Sequence, residues 1–287
     1  MTGPVPARIE SELRELFELL PGPAGAAGIL SLLTSSVDAR LLDAAGPQLR
    51  VVANYGVGVD NVDLAAARER GVVVANTPDV LTETTAELAI ALTLALLRRV
   101  AEGDRLIRAR LPWQFGLEFM LGESLRGKRF GIVGAGRIGV ATARLAEALG
   151  ATPVLVGRNG DLQELLATAD VVSLHCPLTP GTRHLIDAEA LAQMKQTAVL
   201  VNTARGPIVD ERALVAALRT GTIAGAALDV YEHEPEVTEE LLTFENVVLT
   251  PHLGSATRDT REAMGLLAVH ALREVLLEGR SPANTVA

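Results

Sequence analysis

The chain has 287 residues, enough for two ordinary domains or one large one. Its 48% hydrophobic and 21% charged residues predict a packed core, and a net charge of -9 argues against general nucleic-acid binding. The single cysteine, Cys176, excludes an internal disulfide and fits a reducing cytoplasm. MTGPVPARIE has no apolar signal region, and the longest apolar run, LAIALTLALL at 88 to 97, is too short to span a bilayer.

Residues 9 to 20 read as an amphipathic helix carrying Ile9, Leu13, Leu16, Phe17 and Leu20 on one face. A Pro/Gly/Ala connector, PGPAGAAG, follows. Three short apolar runs come next, ILSLL, RVVANY and GVVVAN, separated by helical patterns. Alternation of this kind predicts a parallel sheet. From Thr85 to about Val100 the chain is apolar on nearly every face, as a helix buried on most sides would be; it suits a core, a domain interface or a dimer interface.

A second alternating series starts at KRFGIVG. Its runs are RFGIV, PVLVG, VVSL, AVLVN, AGAALDV and VVLT, which predict six strands of a doubly wound sheet. Asp187 and Asp210 stand where helix N-caps belong, and Gly221 where a helix stops. A last helix is predicted over roughly 259 to 278.

The chemistry lies at strand ends. GIVGAGRIG places Gly134, Gly136 and Gly139 in the G-x-G-x-x-G spacing between a strand and a helix predicted over Arg137 to Leu149. Gly134 allows the turn, Gly136 lets backbone approach a pyrophosphate, and Gly139 lets helix and strand pack closely. The first helical turn, with Arg137 and Ile138, offers free N–H groups to phosphates. About twenty residues on, a carboxylate would favour NAD. VLVGRNGD carries Arg158 and Asn159 there instead. An arginine can pair with a 2'-phosphate and stack on adenine, so NADP(H) is favoured and NAD(H) remains possible.

The other strands end in TARG, EHEP and PHLG, which supply Arg205, Glu234 and His252. Reducing a 2-oxo acid needs a hydride, a proton and a charge to orient the acid. His252 can give the proton to the developing alkoxide. Glu234 can favour the protonated imidazole and fix its orientation. Arg205 can polarise the carbonyl and pair with the carboxylate, so Arg205 and His252 are also substrate contacts. His175, Pro177, Thr203 and Ala204 follow strands at the same edge and are assigned to the cofactor. His184, His233 and His270 are given no role. There is no metal-ligand spacing and no Cys/His nucleophile arrangement.

With those residues in view, the chain resembles the D-isomer-specific 2-hydroxyacid dehydrogenases, closest to the glyoxylate/hydroxypyruvate reductase branch. NYGVGVDNVDL, GVVVANTPDVLTETTAELA, LRGKRFGIVGAGRIG, LHCPLTPGTRHLI, VNTARGPIVDERALVAAL, LDVYEHEP and LTPHLGSAT carry the resemblance over most of residues 50 to 260. It implies that Arg205, Glu234 and His252 are the catalytic set. It further implies that Val57 and Gly58 hold the substrate carboxylate through their backbone N–H groups. Thr85 would touch the cofactor, and Asp229 the nicotinamide amide. The implied fold is α/β: a Rossmann-type, doubly wound parallel sheet domain plus a smaller, trimmed flavodoxin-like α/β substrate domain. The domains would run 1–77 (substrate), 78–258 (dinucleotide) and 259–287, the last helix returning to the substrate domain. The helix after Thr85 would lie in a homodimer interface.

Two departures stand out. A strand and neighbouring elements usual before residue 28 are replaced by PGPAGAAG, and a short strand and helix usual after Arg158 are missing, which would expose an edge of the cofactor sheet. The expected activity is NAD(P)H-dependent reduction of glyoxylate or hydroxypyruvate to the D-2-hydroxy acid in the cytoplasm, with no nucleic-acid or membrane partner. The alternatives are an NAD-linked enzyme of phosphoglycerate dehydrogenase type and a non-catalytic, nucleotide-sensing corepressor-like relative. Trp113 and Met120 are candidates for the wall of the substrate pocket.

Overall fold

A computed structural model describes residues 1–287. The chain forms two compact units, Met1–Leu81 with Ser255–Ala287, and Thr82–Gly254.

The first unit opens with α1 (Ala7–Leu16), followed by β1 (Gly28–Leu32), α2 (Ala39–Ala45), β2 (Val51–Tyr55), α3 (Leu64–Glu69) and β3 (Val73–Ala75). The strands form a parallel sheet in the order β1-β2-β3. The helix expected over 9 to 20 is shorter. It ends at Leu16, Phe17 turns extended, only Ile9 and Leu13 are buried, and Leu20 is exposed. The apolar periodicity runs past the last helical turn. The free edge of β1 is not bare. The Thr2 N–H donates to the Leu30 carbonyl (3.0 Å), and the Leu32 N–H donates to the Thr2 hydroxyl (2.9 Å).

The second unit begins with α4 (Thr82–Leu97) and α5 (Val100–Arg108). These correct the single helix expected from Thr85 to Val100. Arg99 takes a left-handed conformation (φ 53°) and breaks the run, and α5 buries none of its residues. The sheet of this unit comprises β4 (Arg129–Val133), β5 (Thr152–Val156), β6 (Val171–Leu174), β7 (Val199–Asn202), β8 (Gly225–Leu228) and β9 (Val247–Leu249). Its order is β5-β4-β6-β7-β8-β9, every neighbouring pair parallel. The strand order reverses at β4, the switch point at which open α/β sheets bind ligands. Helices α6 (Arg137–Ala148), α7 (Leu162–Thr168), α8 (Ala188–Gln193) and α9 (Glu211–Thr220) make the crossovers.

This is the expected doubly wound Rossmann-type sheet. Leu165, Leu191, Leu200 and Leu214 fill one face, and Leu92, Phe130, Ile132 and Val201 the other. Asp187 and Asp210 accept from Ala190 and Ala213 N–H groups as N-caps, and Gly221 ends α9 with φ 67°. Asp161 caps α7 in the same way. As the missing segment after Arg158 predicts, β5 is an edge strand; Pro153 removes one of its donors, which blunts that edge.

The last helix, α10 (Arg258–Leu276), belongs to the first unit and packs on α1, β1 and β2. Gly265 makes this possible, because a Cβ there would lie 2.4 Å from Ile9 Cγ1 and 2.7 Å from the Tyr55 hydroxyl. The C-terminal tail then runs along β3, where Val74 N–H donates to the Ala287 carbonyl (2.8 Å) and Val286 N–H to the Val74 carbonyl (2.7 Å). No helix is long and apolar enough to cross a membrane.

Candidate active site

Three loops at the carboxyl ends of β7, β8 and β9 bring Arg205, Glu234 and His252 together. Asn202, buried at the end of β7, shapes the first loop: its Oδ1 accepts from Ala204 N–H (3.0 Å) and its Nδ2 donates to the Arg205 carbonyl (2.9 Å). Gly206 then lets this loop press against the β8 loop. A Cβ there would sit 1.8 Å from the Tyr231 carbonyl oxygen, so no other residue fits. The Arg205 guanidinium donates to the Ala204 carbonyl (2.8 Å) and is near enough to Glu234 to act on its charge.

Glu234 uses both carboxylate oxygens. Oε1 accepts from Tyr231 N–H (3.0 Å), and Oε2 pairs with His252 Nδ1 (2.8 Å). Burial pushes this carboxyl up. The His252 hydrogen bond and charge, the Tyr231 amide and the Arg205 charge together outweigh burial and hold it below the usual carboxylate range. The loop is anchored from behind by Glu211, a buried carboxylate at the start of α9 that accepts from Glu232 N–H (2.6 Å) and from the Thr238 hydroxyl. Glu232 in turn meets His184 Nε2 at 2.7 Å and Arg183 at 3.4 Å. The Glu234–Pro235 peptide is cis.

His252 sits in the left-handed region (φ 55°). That conformation is held by Asp229, which is fully buried. Asp229 Oδ1 accepts from the Thr250 hydroxyl (2.6 Å) and Leu253 N–H (2.7 Å), Oδ2 accepts from Gly254 N–H (2.8 Å), and the Asp229 carbonyl accepts from His252 N–H (2.8 Å). Burial raises the Asp229 carboxyl above its ordinary value despite these donors. With Nδ1 committed to Glu234, the imidazole keeps Nε2 for a ligand.

The glycine turn lies at the same edge. Gly134 has φ 110°, and a Cβ there would meet His175 and Cys176 backbone at 2.6 Å; at Gly139 it would meet the Gly134 carbonyl at 2.0 Å. Gly136, by contrast, faces open space and, as the N-cap of α6, puts no side chain over the helix's first turn at Arg137 and Ile138. Both features fit a dinucleotide pyrophosphate. Gly160 N–H donates to the Gly157 carbonyl (3.0 Å), which makes a tight turn with Arg158 and Asn159 exposed at its tip. A Cβ on Gly157 would lie 3.8 Å from the Ala135 Cβ, so this turn neighbours the glycine loop. Thr203 offers a buried hydroxyl with no partner in the protein.

Other assigned residues are engaged by the fold. The Thr85 hydroxyl donates to the Gly254 carbonyl (3.1 Å) and braces the His252 loop. The Pro177 carbonyl accepts from the Thr182 hydroxyl (2.7 Å). The His175 imidazole pairs with Ser173 (2.8 Å), and burial pushes its pKa down to about 4, so it stays neutral near pH 7. Val57 and Gly58 lie in the first unit, in the loop after β2. Trp113 is exposed and stacks on Phe119 (6.3 Å), while Met120 lies against Gly103 of α5. Asn202, Gly206, Glu211 and His184 lie in the stretches that carry the resemblance, but the contacts that give each its place in the site appear only in three dimensions.

The fold and the site define a nicotinamide-dependent oxidoreductase. Residues 90–254 match the model of the D-isomer specific 2-hydroxyacid dehydrogenase, NAD binding domain. A glyoxylate reductase of Thermofilum pendens is 45% identical over 284 residues, covering 93% of this chain and 83% of that protein. The TT0316 protein of Thermus thermophilus superposes with a TM-score of 0.92 at 45% identity, over 100% of this chain and 98% of that one. An NADPH-dependent glyoxylate/hydroxypyruvate reductase of Sinorhizobium meliloti, solved with NADP and malonate, superposes with a TM-score of 0.87 at 38% identity, over 99% and 95%. The chain belongs to the D-isomer specific 2-hydroxyacid dehydrogenase family.

Glu234 yields a prediction about acid stability. Its carboxyl is depressed in the folded protein, so its contribution is complete above about pH 4.5, its ordinary value, and is lost as pH falls through the lower folded value. Melting temperature should therefore fall less steeply below about pH 4.5 in Glu234→Gln than in the parent protein; parallel curves would remove the linkage.

Proposed function

We propose that this protein reduces a small 2-oxo acid, glyoxylate or hydroxypyruvate, to the D-2-hydroxy acid, with NADPH as the preferred cofactor. The observation that carries the reading is the 2.8 Å pair of His252 Nδ1 with Glu234 Oε2, adjoining Arg205 at the strand ends that also carry the glycine turn.

The second unit would act as the dinucleotide-binding domain and the first as the substrate domain. Gly134, Gly136, Gly139 and the first turn of α6 would take the pyrophosphate; Thr203, Ala204 and Asp229 lie at strand ends suited to the nicotinamide half. The nicotinamide, when bound, supplies the hydride. Arg205 pairs with the substrate carboxylate and draws charge toward the carbonyl oxygen. His252 donates its Nε2 proton to that oxygen as it becomes an alkoxide. Glu234 holds the imidazole through Nδ1 and balances its charge. The N–H groups of Val57 and Gly58 anchor the carboxylate. Replacing His252 by Ala should cut kcat by about 10² to 10⁴-fold while leaving the NADPH Kd nearly unchanged. Undiminished turnover would end the acid/base role, and a wild-type protein that binds cofactor but turns over no 2-oxo acid would favour the non-catalytic reading instead.

Arg158 supports NADPH over NADH. It occupies the exposed tip of the turn beside the glycine loop, where a carboxylate would repel the 2'-phosphate. The NADPH-dependent Sinorhizobium relative is consistent with this. Arg158→Asp should shift the NADPH/NADH ratio of kcat/KM toward NADH by on the order of tenfold or more; a ratio unmoved by the substitution would leave the NAD-linked reading ahead.

The protein would act as a homodimer in the cytoplasm. Around α5 and the segment after it, Ile107, Trp113, Phe115 (81% exposed) and Leu117 (87% exposed) leave large apolar side chains open to water, which supports a subunit interface there. Sedimentation should give twice the mass of one chain; the mass of a single chain would remove the dimer.

A further inference from the structure

The loop after β2 is held by an unusual device. The carbonyls of three successive residues each accept a hydrogen bond from the protein: Gly56 from Thr77 N–H (3.0 Å), Val57 from Asn76 Nδ2 (2.9 Å) and Gly58 from Asn54 Nδ2 (2.8 Å). A peptide unit is planar and trans, so its N–H points opposite to its C=O. The carbonyl of one residue shares its peptide unit with the N–H of the next. Fixing the Gly56, Val57 and Gly58 carbonyls therefore fixes the directions of the Val57, Gly58 and Val59 N–H groups, each away from the donor that holds its carbonyl.

The two asparagines are themselves locked. Asn54 is fully buried, and its Oδ1 accepts from the Ser31 hydroxyl (2.9 Å) and Asn61 Nδ2 (3.0 Å), so only Nδ2 is left to face Gly58. Asn61 also donates to the Leu32 and Ser35 carbonyls (3.2 and 3.1 Å), which ties the far end of the loop to β1. Asn76 is fixed at its backbone: its N–H donates to the Asn284 carbonyl (3.1 Å), and its own carbonyl accepts from the Asn284 side chain. A loop that served only to connect β2 to α3 would not need side-chain amides on two consecutive carbonyls; water would satisfy them.

We propose that Asn54 and Asn76 are positioning residues that aim a row of peptide N–H groups, Val57, Gly58 and Val59, at the substrate carboxylate, with Asn76 setting Gly58 and Asn54 setting Val59. This rests on the reading of the loop as the carboxylate anchor and adds Val59 as a third donor. Preset N–H groups bind an anion without first paying the cost of ordering. The asparagines touch no substrate; they act through the backbone.

The test is steady-state kinetics of Asn76→Ala and Asn54→Ser with glyoxylate and NADPH, together with the Kd of oxamate, an unreactive 2-oxo acid analogue, for the cofactor-loaded protein. KM and the oxamate Kd should each rise on the order of tenfold, with kcat and the NADPH Kd within about twofold of the parent. A general loosening of the fold would instead lower kcat and weaken NADPH together with the acid, and that pattern overturns the proposal. So does a KM and an oxamate Kd unchanged in Asn76→Ala, which is decisive by itself if the buried Asn54 variant fails to fold. If the parent protein neither turns over a 2-oxo acid nor binds oxamate, the carboxylate anchor itself falls, and the proposal with it. A parent that does both while the variants match it leaves the anchor standing and removes only the positioning role.

Discussion

A carboxylate shut away from water must find its donors in the protein, and Asp229 finds three of them within one loop: the Thr250 hydroxyl and the Leu253 and Gly254 N–H groups. An unpaired charge at this depth would cost several kcal/mol, so the loop after β9 is compelled to fold around the carboxylate. The consequence is the left-handed backbone of His252, a conformation few residues adopt unless their surroundings enforce it. The imidazole is thereby turned to meet Glu234. Asp229 is thus held in a fixed position by the protein itself.

Glycine supplies the second constraint. At Gly206 and Gly139 a methylene would overlap a carbonyl oxygen at 1.8 and 2.0 Å, distances no side-chain adjustment can relieve because the obstacle is backbone. These contacts set how closely the β7 loop lies on the β8 loop, and how closely α6 lies on β4. Arg205 comes within electrostatic reach of Glu234 because the residue after it has no side chain. The Glu234 loop is pressed from one side by Gly206 and held from the other by Glu211, so the carboxylate needs little ordering when it takes up the imidazole.

Much of this is legible in the sequence, and the reasons are specific. RFGIV and VVSL are strands at the residues their pattern predicts because parallel, buried strands read as continuous apolar runs. Arg205, Glu234 and His252 are legible because each follows such a run, and the carboxyl ends of the strands share one edge. The break at Arg99 is not legible: LAIALTLALLRRV has no glycine or proline at the turn, and the left-handed residue coincides with a close approach of the segment before β4, where Glu123 N–H donates to the Leu97 carbonyl (2.8 Å). Nor are the roles of Asn76, Asn202 and Glu211. Each bonds to backbone, and the sequence of an acceptor carbonyl carries no trace of its partner. Leu20 fits the helical period of α1 yet lies outside it, because periodicity reports which residues are apolar and not where the helix stops.

The three-stranded first unit shows why such backbone bonds matter. A sheet of three strands has two edges and little interior, so it cannot hold a functional loop by burial alone. Here Thr2 lies against one edge and the chain from Thr285 to Ala287 against the other, while α10 covers β1 and β2 through the close approach at Gly265. The tail does more than close an edge, since Asn284 fixes both backbone groups of Asn76, whose side chain holds Val57. Order therefore passes from the last residues of the chain to the loop after β2 through hydrogen bonds rather than through apolar contacts. Such bonds are directional, and they fix where the N–H groups of a loop point more tightly than packing density can.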